Sequence, residues 1–312
     1  MARQPQRRSP GFVLTPAPPL ELVRKGIETA EADLVARLTR QKEIDAKSAG
    51  LKKEVAQAEL EVMRKGGMDI EALARKAREL PQQLGGALKQ PLPKPPGLQP
   101  QIPLGVAHLP GYSLVRPPYS WDWSSTGYLE YSPGTLSAHA DRQTGTLGFE
   151  DVPDGTSDQA DASYAAAAVG IYFKPEVAGV VAVTTTAPIT EQFGYAASYY
   201  TGCNVRGWVG FLVQAYDASN SLVETLVYQQ IVLFDEGSDG RSFYANDAQF
   251  QSLNEMITVL GFYVTPKYWY AIWLWCGGDI HSDGFMPSFP AKGSYAEESM
   301  DVSVPYFSLH YL

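Results

Sequence analysis

Aromatic side chains are the first residues of this sequence whose types and spacing suit binding chemistry. Tyr119, Trp121, Trp123 and Tyr128 fall within one short stretch that carries no clear strand pattern. Trp and Tyr on loops stack on sugar rings or anchor protein interfaces, because they offer a large rigid area at small entropic cost. We therefore take these four as candidate carbohydrate- or partner-binding residues. The alternative is that they cover one end of a folded domain.

A run of carboxylates is the second candidate site. Asp151, Asp154, Asp158 and Asp161 follow one another in a single loop-like stretch. Calcium prefers clustered carboxylate and carbonyl oxygens on loops, so these four residues form the candidate calcium site, although their spacing is not that of an EF-hand. The alternative is ordinary turn chemistry, to which Asp-Gly pairs also belong.

Signatures of the common enzyme classes are missing from the sequence. It contains no phosphate-binding loop, no GxGxxG, no HExxH and no GxSxG elbow. The run CGGDIHSDG, from Cys276 onward, reads as a Gly-Gly turn followed by a polar loop, because it lacks the ligand spacing of a zinc site. We expect a protein that is not an enzyme and that needs no cofactor apart from the candidate calcium. Whether Cys203 and Cys276 pair in a disulfide stays open.

Charge is unevenly distributed along the chain. Residues 1–100 hold 18 Lys and Arg against 12 Asp and Glu, a balance of +6. The remaining 212 residues hold 7 against 22, a balance of −15. Opposite signs indicate two regions with different tasks, and a basic region suits an acidic partner, including the acidic part of another copy. Three arginines in the first eight residues do not make a nucleic-acid site, so we expect no specific nucleic-acid binding.

The first part of the chain has a helical pattern. Residues 1–18 are rich in Pro and Arg and are expected to be a disordered basic arm. Residues 19–87 are expected to be a helical oligomerisation region, because ten of fourteen heptad positions from Leu20 to Lys65 are apolar. The region is either one imperfect helix or a hairpin that breaks near Gly50. Gly66-Gly67 marks a helix end, and Asp69 marks the N-cap of a further helix.

The second part of the chain has a strand pattern. Residues 88–103 are a stiff Pro-rich linker, and residues 104–312 alternate with period two and contain no helical stretch. Strands are predicted at 164–173, 177–186, 206–216, 221–234, 256–265, 267–276 and 300–311, with weaker ones near 127–131 and 144–150. Both faces of 268–275 are apolar, which predicts a central strand. The expected fold class is therefore α+β in two separate parts: a helical coiled coil or hairpin, then an antiparallel, jelly-roll-like β-sandwich.

These features favour a non-enzymatic structural or attachment protein. In this hypothesis residues 20–80 form a homo-oligomer and the β-sandwich head binds a glycan or protein receptor. The alternatives are a lectin-like carbohydrate-binding module and a membrane-acting toxin of the insecticidal type, with helices on a β scaffold. No stretch is apolar enough for a transmembrane helix, and no secretory signal is recognisable, so the protein is expected in the cytoplasm or released by a non-classical route.

Overall fold

The fold is described from a computed structural model of the chain. The described residues are 12–14, 32, 35–40, 42–44, 47, 54–55, 57–58, 61–69, 71–72, 75, 111–130, 134–153, 161–198, 201–238, 244–283 and 294–312. Strands make up 71% of this described structure, and they form two antiparallel sheets of seven strands each. The β-sandwich predicted for the second part of the chain is therefore confirmed.

The first sheet is built around three long strands, β6, β12 and β8. Strand β12 lies between the other two, and its pairing runs along almost the whole of both neighbours. Strands β1 and β3 share the free side of β6, while β9 and β10 share the free side of β8. The strand bounds are β1 (Phe12–Leu14), β3 (Trp121–Glu130), β6 (Asp161–Pro175), β8 (Cys203–Tyr216), β9 (Leu222–Tyr228), β10 (Ile231–Ser238) and β12 (Trp269–Ser282).

The second sheet is built around one strand of 20 residues, β7. Strand β11 pairs with it along one side, while β13 and β14 divide the other side between them. Strands β5 and β4 continue outward from β13, and β2 pairs with β14. The strand bounds are β2 (Tyr112–Val115), β4 (Gly134–Asp141), β5 (Thr146–Pro153), β7 (Gly179–Ser198), β11 (Tyr244–Val264), β13 (Ser294–Ser303) and β14 (Phe307–Tyr311).

The main core lies between the two sheets. Because side chains alternate across a strand, one set of apolar residues from each sheet points into this space. Phe211, Ile272 and Leu274 of the first sheet and Ile189 and Phe307 of the second are completely buried there. Cys203 and Cys276 are also buried and free, so the open question of a disulfide is settled for this structure.

The expected N-terminal coiled coil or helical hairpin is wrong. Helical residues are described at 32, 35–40, 42–44, 47, 54–55, 57–58, 61–65, 71–72 and 75, but they form no coiled coil or hairpin in the described structure. The predicted seam residues Ile44 and Val62 are 52% and 68% exposed. Leu38, which lies outside that seam, is buried against the first sheet. The apolar surface of this sheet thus buries Leu38, a helical residue that would lie on the exterior of a coiled coil.

Local helix signals were read correctly. The described helix at 61–65 ends at Gly66-Gly67, where Gly67 adopts a φ of 77°. The Asp69 side chain accepts a hydrogen bond of 2.9 Å from the backbone N–H of Ala72, as an N-cap does. Local sequence therefore fixed these helix ends, whereas the packing of the helical residues depended on the rest of the fold.

Several strand boundaries differ from the sequence prediction. Gly277 and Gly278 do not form a turn but lie inside β12, where Trp208 and Glu298 occupy the space that a side chain at each glycine would fill. The run CGGDIHSDG is therefore mostly strand. The single strand predicted at 221–234 is two strands, β9 and β10. The single strand predicted at 300–311 is also two, β13 and β14, which are separated around Pro305. Phe12–Leu14, within the expected disordered arm, forms β1.

Close packing between β8 and the β9–β10 connection gives a direct test of the fold. A Cβ atom at Gly210 would overlap the backbone carbonyl of Gln229, whose N–H donates a 2.8 Å hydrogen bond to Phe211. Gly210→Ala should therefore lower the free energy of unfolding by about 1–3 kcal/mol in chemical denaturation. Gly202→Ala is the control, because its nearest atoms would lie at an ordinary 3.5 Å. Equal stability of the two variants would contradict this packing.

Candidate functional site: the outer tryptophan face and the carboxyls beneath it

All six tryptophans of the chain belong to the outer face of the first sheet, the face directed away from the second sheet. We call it the outer tryptophan face. Four tryptophans are buried and two are partly buried, although they lie outside the inter-sheet core. The face comprises Trp121 and Trp123 of β3, Tyr164, Ala168 and Tyr172 of β6, Trp208, Leu212 and Tyr216 of β8, and Trp269, Ala271, Trp273 and Trp275 of β12, with Leu129 at its border.

Small residues on neighbouring strands make room for the indole rings. Gly170 of β6 lies in register with both Trp121 and Trp273, and a side chain there would overlap the Trp121 ring. Gly277 lies in register with Trp208, whose ring occupies the space that a side chain at Gly277 would fill. This alternation of large and small residues lets bulky rings lie flat on a sheet without separating its strands.

The helical residues contact this face directly. Leu38 is 3% exposed and belongs to the same buried cluster as the tryptophans. Its neighbour Arg37 forms an ion pair with Asp279 of β12. Lys42 approaches Glu130 at the end of β3 at 2.6 Å between Nζ and Oε1. One apolar anchor between two basic residues therefore joins the basic part of the chain to the acidic head. We call residues 35–40 and 42–44 the docking segment.

The ion pair lies in a partly buried cluster of charges. Asp279 is in register with Arg206 of β8, whose guanidinium lies 5.6 Å from the centre of the Trp208 ring. Burial, together with the charge of Arg206, lowers the pKa of Arg37 to about 10, while Asp235 and Glu298 act in the opposite direction. Arg37 thus stays protonated at neutral pH. Replacing its partner Asp279 would leave two cations close together in a partly desolvated place.

The outer tryptophan face contains polar groups that its packing does not satisfy. The indole N–H groups of Trp121, Trp208 and Trp273 are buried and find no acceptor among the described residues. The indole of Trp275, by contrast, donates to the backbone carbonyl of Gln229 at 3.3 Å. A buried unpaired donor costs about 1–3 kcal/mol. The covering of this face is therefore held by apolar contact and by the charges at its border.

A group of buried carboxyls lies beneath this face, between the sheets. Asp151 of β5 and Glu298 of β13 are in register with each other, and both side chains are almost completely buried. The Ser163 hydroxyl donates a 2.7 Å hydrogen bond to Asp151 Oδ2. The carboxyl of Glu298 lies against Gly278, and neither of its oxygens has a hydrogen-bond partner among the described residues.

Burial changes the protonation of these carboxyls. It raises the pKa of Asp151 to about 8; the hydrogen bond from Ser163 opposes this shift and the charge of Asp161 adds to it. Burial also raises the pKa of Glu298 well above its usual value, with a further contribution from Asp151. Asp151 is thus largely neutral at pH 7, and burial shifts Glu298 in the same direction. An enclosed pair whose pKa values are raised does not have the exposed charge that general-base chemistry on a substrate requires.

The structure describes two of the four predicted calcium residues. Asp151 and Asp161 come near each other at adjacent strand ends, whereas Asp154 and Asp158 lie outside the described residues. Within the described ranges, no three His, Cys, Asp or Glu residues are arranged to hold a metal ion. Calcium binding by this loop therefore stays a prediction.

The four predicted aromatic binding residues have different positions. Tyr119 is buried in the inter-sheet core, where its hydroxyl donates a 2.7 Å hydrogen bond to the carbonyl of Val304. Trp121 and Trp123 belong to the outer tryptophan face, and the former is 1% exposed. Tyr128 is exposed near the end of β3. Since two of the four are enclosed, they do not form one open platform for a sugar.

Sequence reasoning missed Arg37, Leu38, Arg206 and Glu298 as parts of a site. One signal was available for Arg37, because a charged residue interrupts the heptad pattern at that position. The sequence predicts a central strand at 268–275 with two apolar sets of side chains, one on each face. Nothing in the sequence indicated that the set containing Trp269, Trp273 and Trp275 would meet a helical segment rather than a second sheet.

Comparisons with known proteins provide no relative on which to base a function. No known protein family matches the chain, and no curated protein matches it. Among solved structures, it is similar to a chain in the structure of infectious bursal disease virus Gx strain, at 7% identity and a TM-score of 0.10. That match covers 62% of this chain and 41% of the viral one, and so low a score carries no argument.

The buried carboxyls predict an unusual dependence of stability on pH. The folded protein keeps the Asp151 proton up to about pH 8, whereas the unfolded chain releases it near pH 4. The free energy of unfolding should therefore fall as pH rises between these values. Asp151→Asn should remove this loss and stabilise the protein by a few kcal/mol at pH 8–9, measured by urea denaturation across the pH range.

Asp141→Asn is the matched control for this experiment. Asp141 is only partly buried, and hydrogen bonds from Gln143 and Thr144 lower the pKa of its carboxyl. Its replacement should therefore decrease stability slightly at neutral pH instead of increasing it. If Asp151→Asn destabilises the protein equally at pH 5 and pH 9, Asp151 is ionised in the folded state and our assignment is wrong.

Proposed function

We propose that this chain is a non-enzymatic structural protein whose copies assemble by exchanging the docking segment. In this assembly the outer tryptophan face of one head binds the Arg37–Leu38 region of another copy. The contact of this region with the face is the observation that carries the proposal. It supplies a mode of association in place of the expected coiled coil.

Charge supports exchange between copies. The docking segment belongs to the part of the chain with a balance of +6, and the head belongs to the part with −15. Heads of like charge repel one another, whereas a basic segment from a neighbour is attracted to an acidic head. The pairs Arg37–Asp279 and Lys42–Glu130 have this polarity.

Chain length also supports exchange. The Pro-rich stretch at 90–103 lies outside the described residues, but its sequence holds six prolines, and such a sequence favours an extended backbone of about 3.1 Å per residue. Fourteen residues of this kind reach roughly 40 Å, which is enough to connect neighbouring heads. Exchange of an element between identical copies makes the same local contacts as docking within one chain, so it needs no new interface chemistry.

The other functional hypotheses have less support among the described residues. Burial of Tyr119 and Trp121 weakens the lectin-like alternative. A toxin would need helices that insert into a bilayer; none of the described helices combines the length and apolar character needed to cross one. The acidic head does not suit a nucleic-acid backbone.

A charge-reversal mixing experiment tests segment exchange. Arg37→Glu places two carboxylates together, and Asp279→Arg places guanidinium groups together, so each variant alone should lose the exchanged contact and have a lower mass than the wild type by light scattering. In an equal mixture, each contact exchanged between the two variants joins opposite charges. It pairs either the introduced Glu with the introduced Arg, or the native Arg37 with the native Asp279. Mixing should therefore restore the higher mass of the wild type, as should the double variant Arg37→Glu/Asp279→Arg by itself.

Docking within one chain gives a different result. Each single variant would then keep its own unfavourable pair, and mixing would not change the mass. A wild-type protein that is monomeric at micromolar concentration, together with no complex in the mixture, would reject segment exchange. Far-UV circular dichroism of each variant checks that the β-sandwich is folded.

A further inference from the structure

Strand β11 is an unusually long open edge. It runs from Tyr244 to Val264, and among the described strands it pairs with β7 alone. Its outer face carries Phe250 and Met256, which are 53% and 71% exposed. The Gln229 side chain donates a 3.4 Å hydrogen bond to the carbonyl of Thr258, but no described strand pairs with the free side of β11. An unpaired edge beside two exposed apolar side chains favours pairing with another strand.

The sequence of this edge lacks the usual protection against pairing. Residues 244–264 contain no Lys, no Arg and no Pro, which are the residues that commonly block an edge. The irregularity in its pairing with β7 comes only between Val259 and Phe262. The stretch from Asp247 to Val259 thus offers thirteen regular positions, about 44 Å at 3.4 Å per residue.

We propose that β11 pairs antiparallel with β11 of a second copy across a two-fold axis at Leu253. In this register Phe250 lies opposite Met256 of the second copy, and each apolar pair occurs twice. Gln251 lies opposite Glu255, so that an amide can donate to a carboxylate. Ser252 lies opposite Asn254. All these pairs join residues on the same face of the continued sheet.

The neighbouring registers are less favourable. An axis at Gln251 would place Asp247 opposite Glu255, and an axis at Glu255 would place that carboxylate opposite its own copy. Like charges directly opposite each other destabilise a strand pair. An axis at Ser252 would place Phe250 opposite Asn254. An axis at Asn254 would place Phe250 opposite Thr258. In both registers the apolar pair of Phe250 and Met256 would be lost. Self-complementarity about Leu253 therefore favours a second copy as the occupant of this edge.

This contact is independent of segment exchange. Strand β11 belongs to the second sheet, whereas the docking segment contacts the first. The two proposals therefore involve separate residues and can fail separately. If both hold, each copy has two different self-contacts, and assemblies larger than a dimer follow.

Two matched double variants test the β11 pairing in the full chain. Phe250→Lys/Met256→Lys puts Lys opposite Lys twice, whereas Phe250→Lys/Met256→Glu puts Lys opposite Glu twice. Both variants remove the same two apolar side chains. In the Arg37→Glu background, which prevents segment exchange, the parent should have twice the 34.1 kDa mass of one chain at micromolar concentration. The Lys/Lys variant should have a dimer dissociation constant at least tenfold higher than the Lys/Glu variant.

Cross-linking gives a second readout that does not rely on charge. Leu253→Cys places two thiols opposite each other across the axis and should oxidise to a covalent dimer, whereas Ser252→Cys places them diagonally and should not. The native Cys203 and Cys276 are buried and do not compete. A monomeric Arg37→Glu parent, equal dissociation constants for the two double variants, or equal cross-linking at positions 252 and 253 would each overturn the proposal.

Discussion

Burial of the first sheet on both faces is the constraint on which the rest of this structure depends. Strands β6, β8 and β12 are apolar on both sides, so one face needs the second sheet and the other needs a different cover. An uncovered face with six tryptophans would be a large exposed apolar patch. The described helical residues meet this need through Leu38, and the charges around Arg37 fix where they lie.

The same constraint explains the unusual polar groups of the molecule. Wide indole rings pack against glycines at 170 and 277, which brings the N–H groups of Trp121 and Trp208 into places without acceptors. Beneath them, Gly278 leaves space for the Glu298 carboxyl between the sheets. Because burial disfavours the charged form, the pKa of this carboxyl and the pKa of Asp151 are both raised. Stability is thus linked both to the covering of the outer tryptophan face and to pH.

Sequence alone predicted those parts of the fold that local patterns determine. Period-two alternation located β6, β8 and β12 and identified 268–275 as a central strand, while Gly66-Gly67 and Asp69 marked helix ends correctly. Glycines at 277 and 278 were read as a turn, because their role depends on neighbours that are distant in sequence. Leu38 was missed for the same reason. A heptad pattern shows that a helix has an apolar side, but not which surface covers it.

The candidate site was less predictable than the fold. Trp121 and Trp123 were selected for their chemistry, yet β3 places them in a covered surface beside tryptophans more than 80 residues away in the sequence. Arg37 and Asp279 are separated by 242 residues and meet only because a helical segment lies on a sheet. Such sites come from tertiary contacts and leave no compact motif in one sequence.

The most direct test of this account is acrylamide quenching of tryptophan fluorescence in the full-length protein and its Leu38→Asp variant. All six tryptophans belong to the face that Leu38 helps to cover, so the signal reports on that face alone. The account predicts weak quenching and blue-shifted emission for the wild type. It also predicts a red shift and clearly stronger quenching for the variant, with an unchanged β-sheet signal in far-UV circular dichroism. Identical quenching of the two proteins would show that the docking segment does not cover the outer tryptophan face, and would contradict the account.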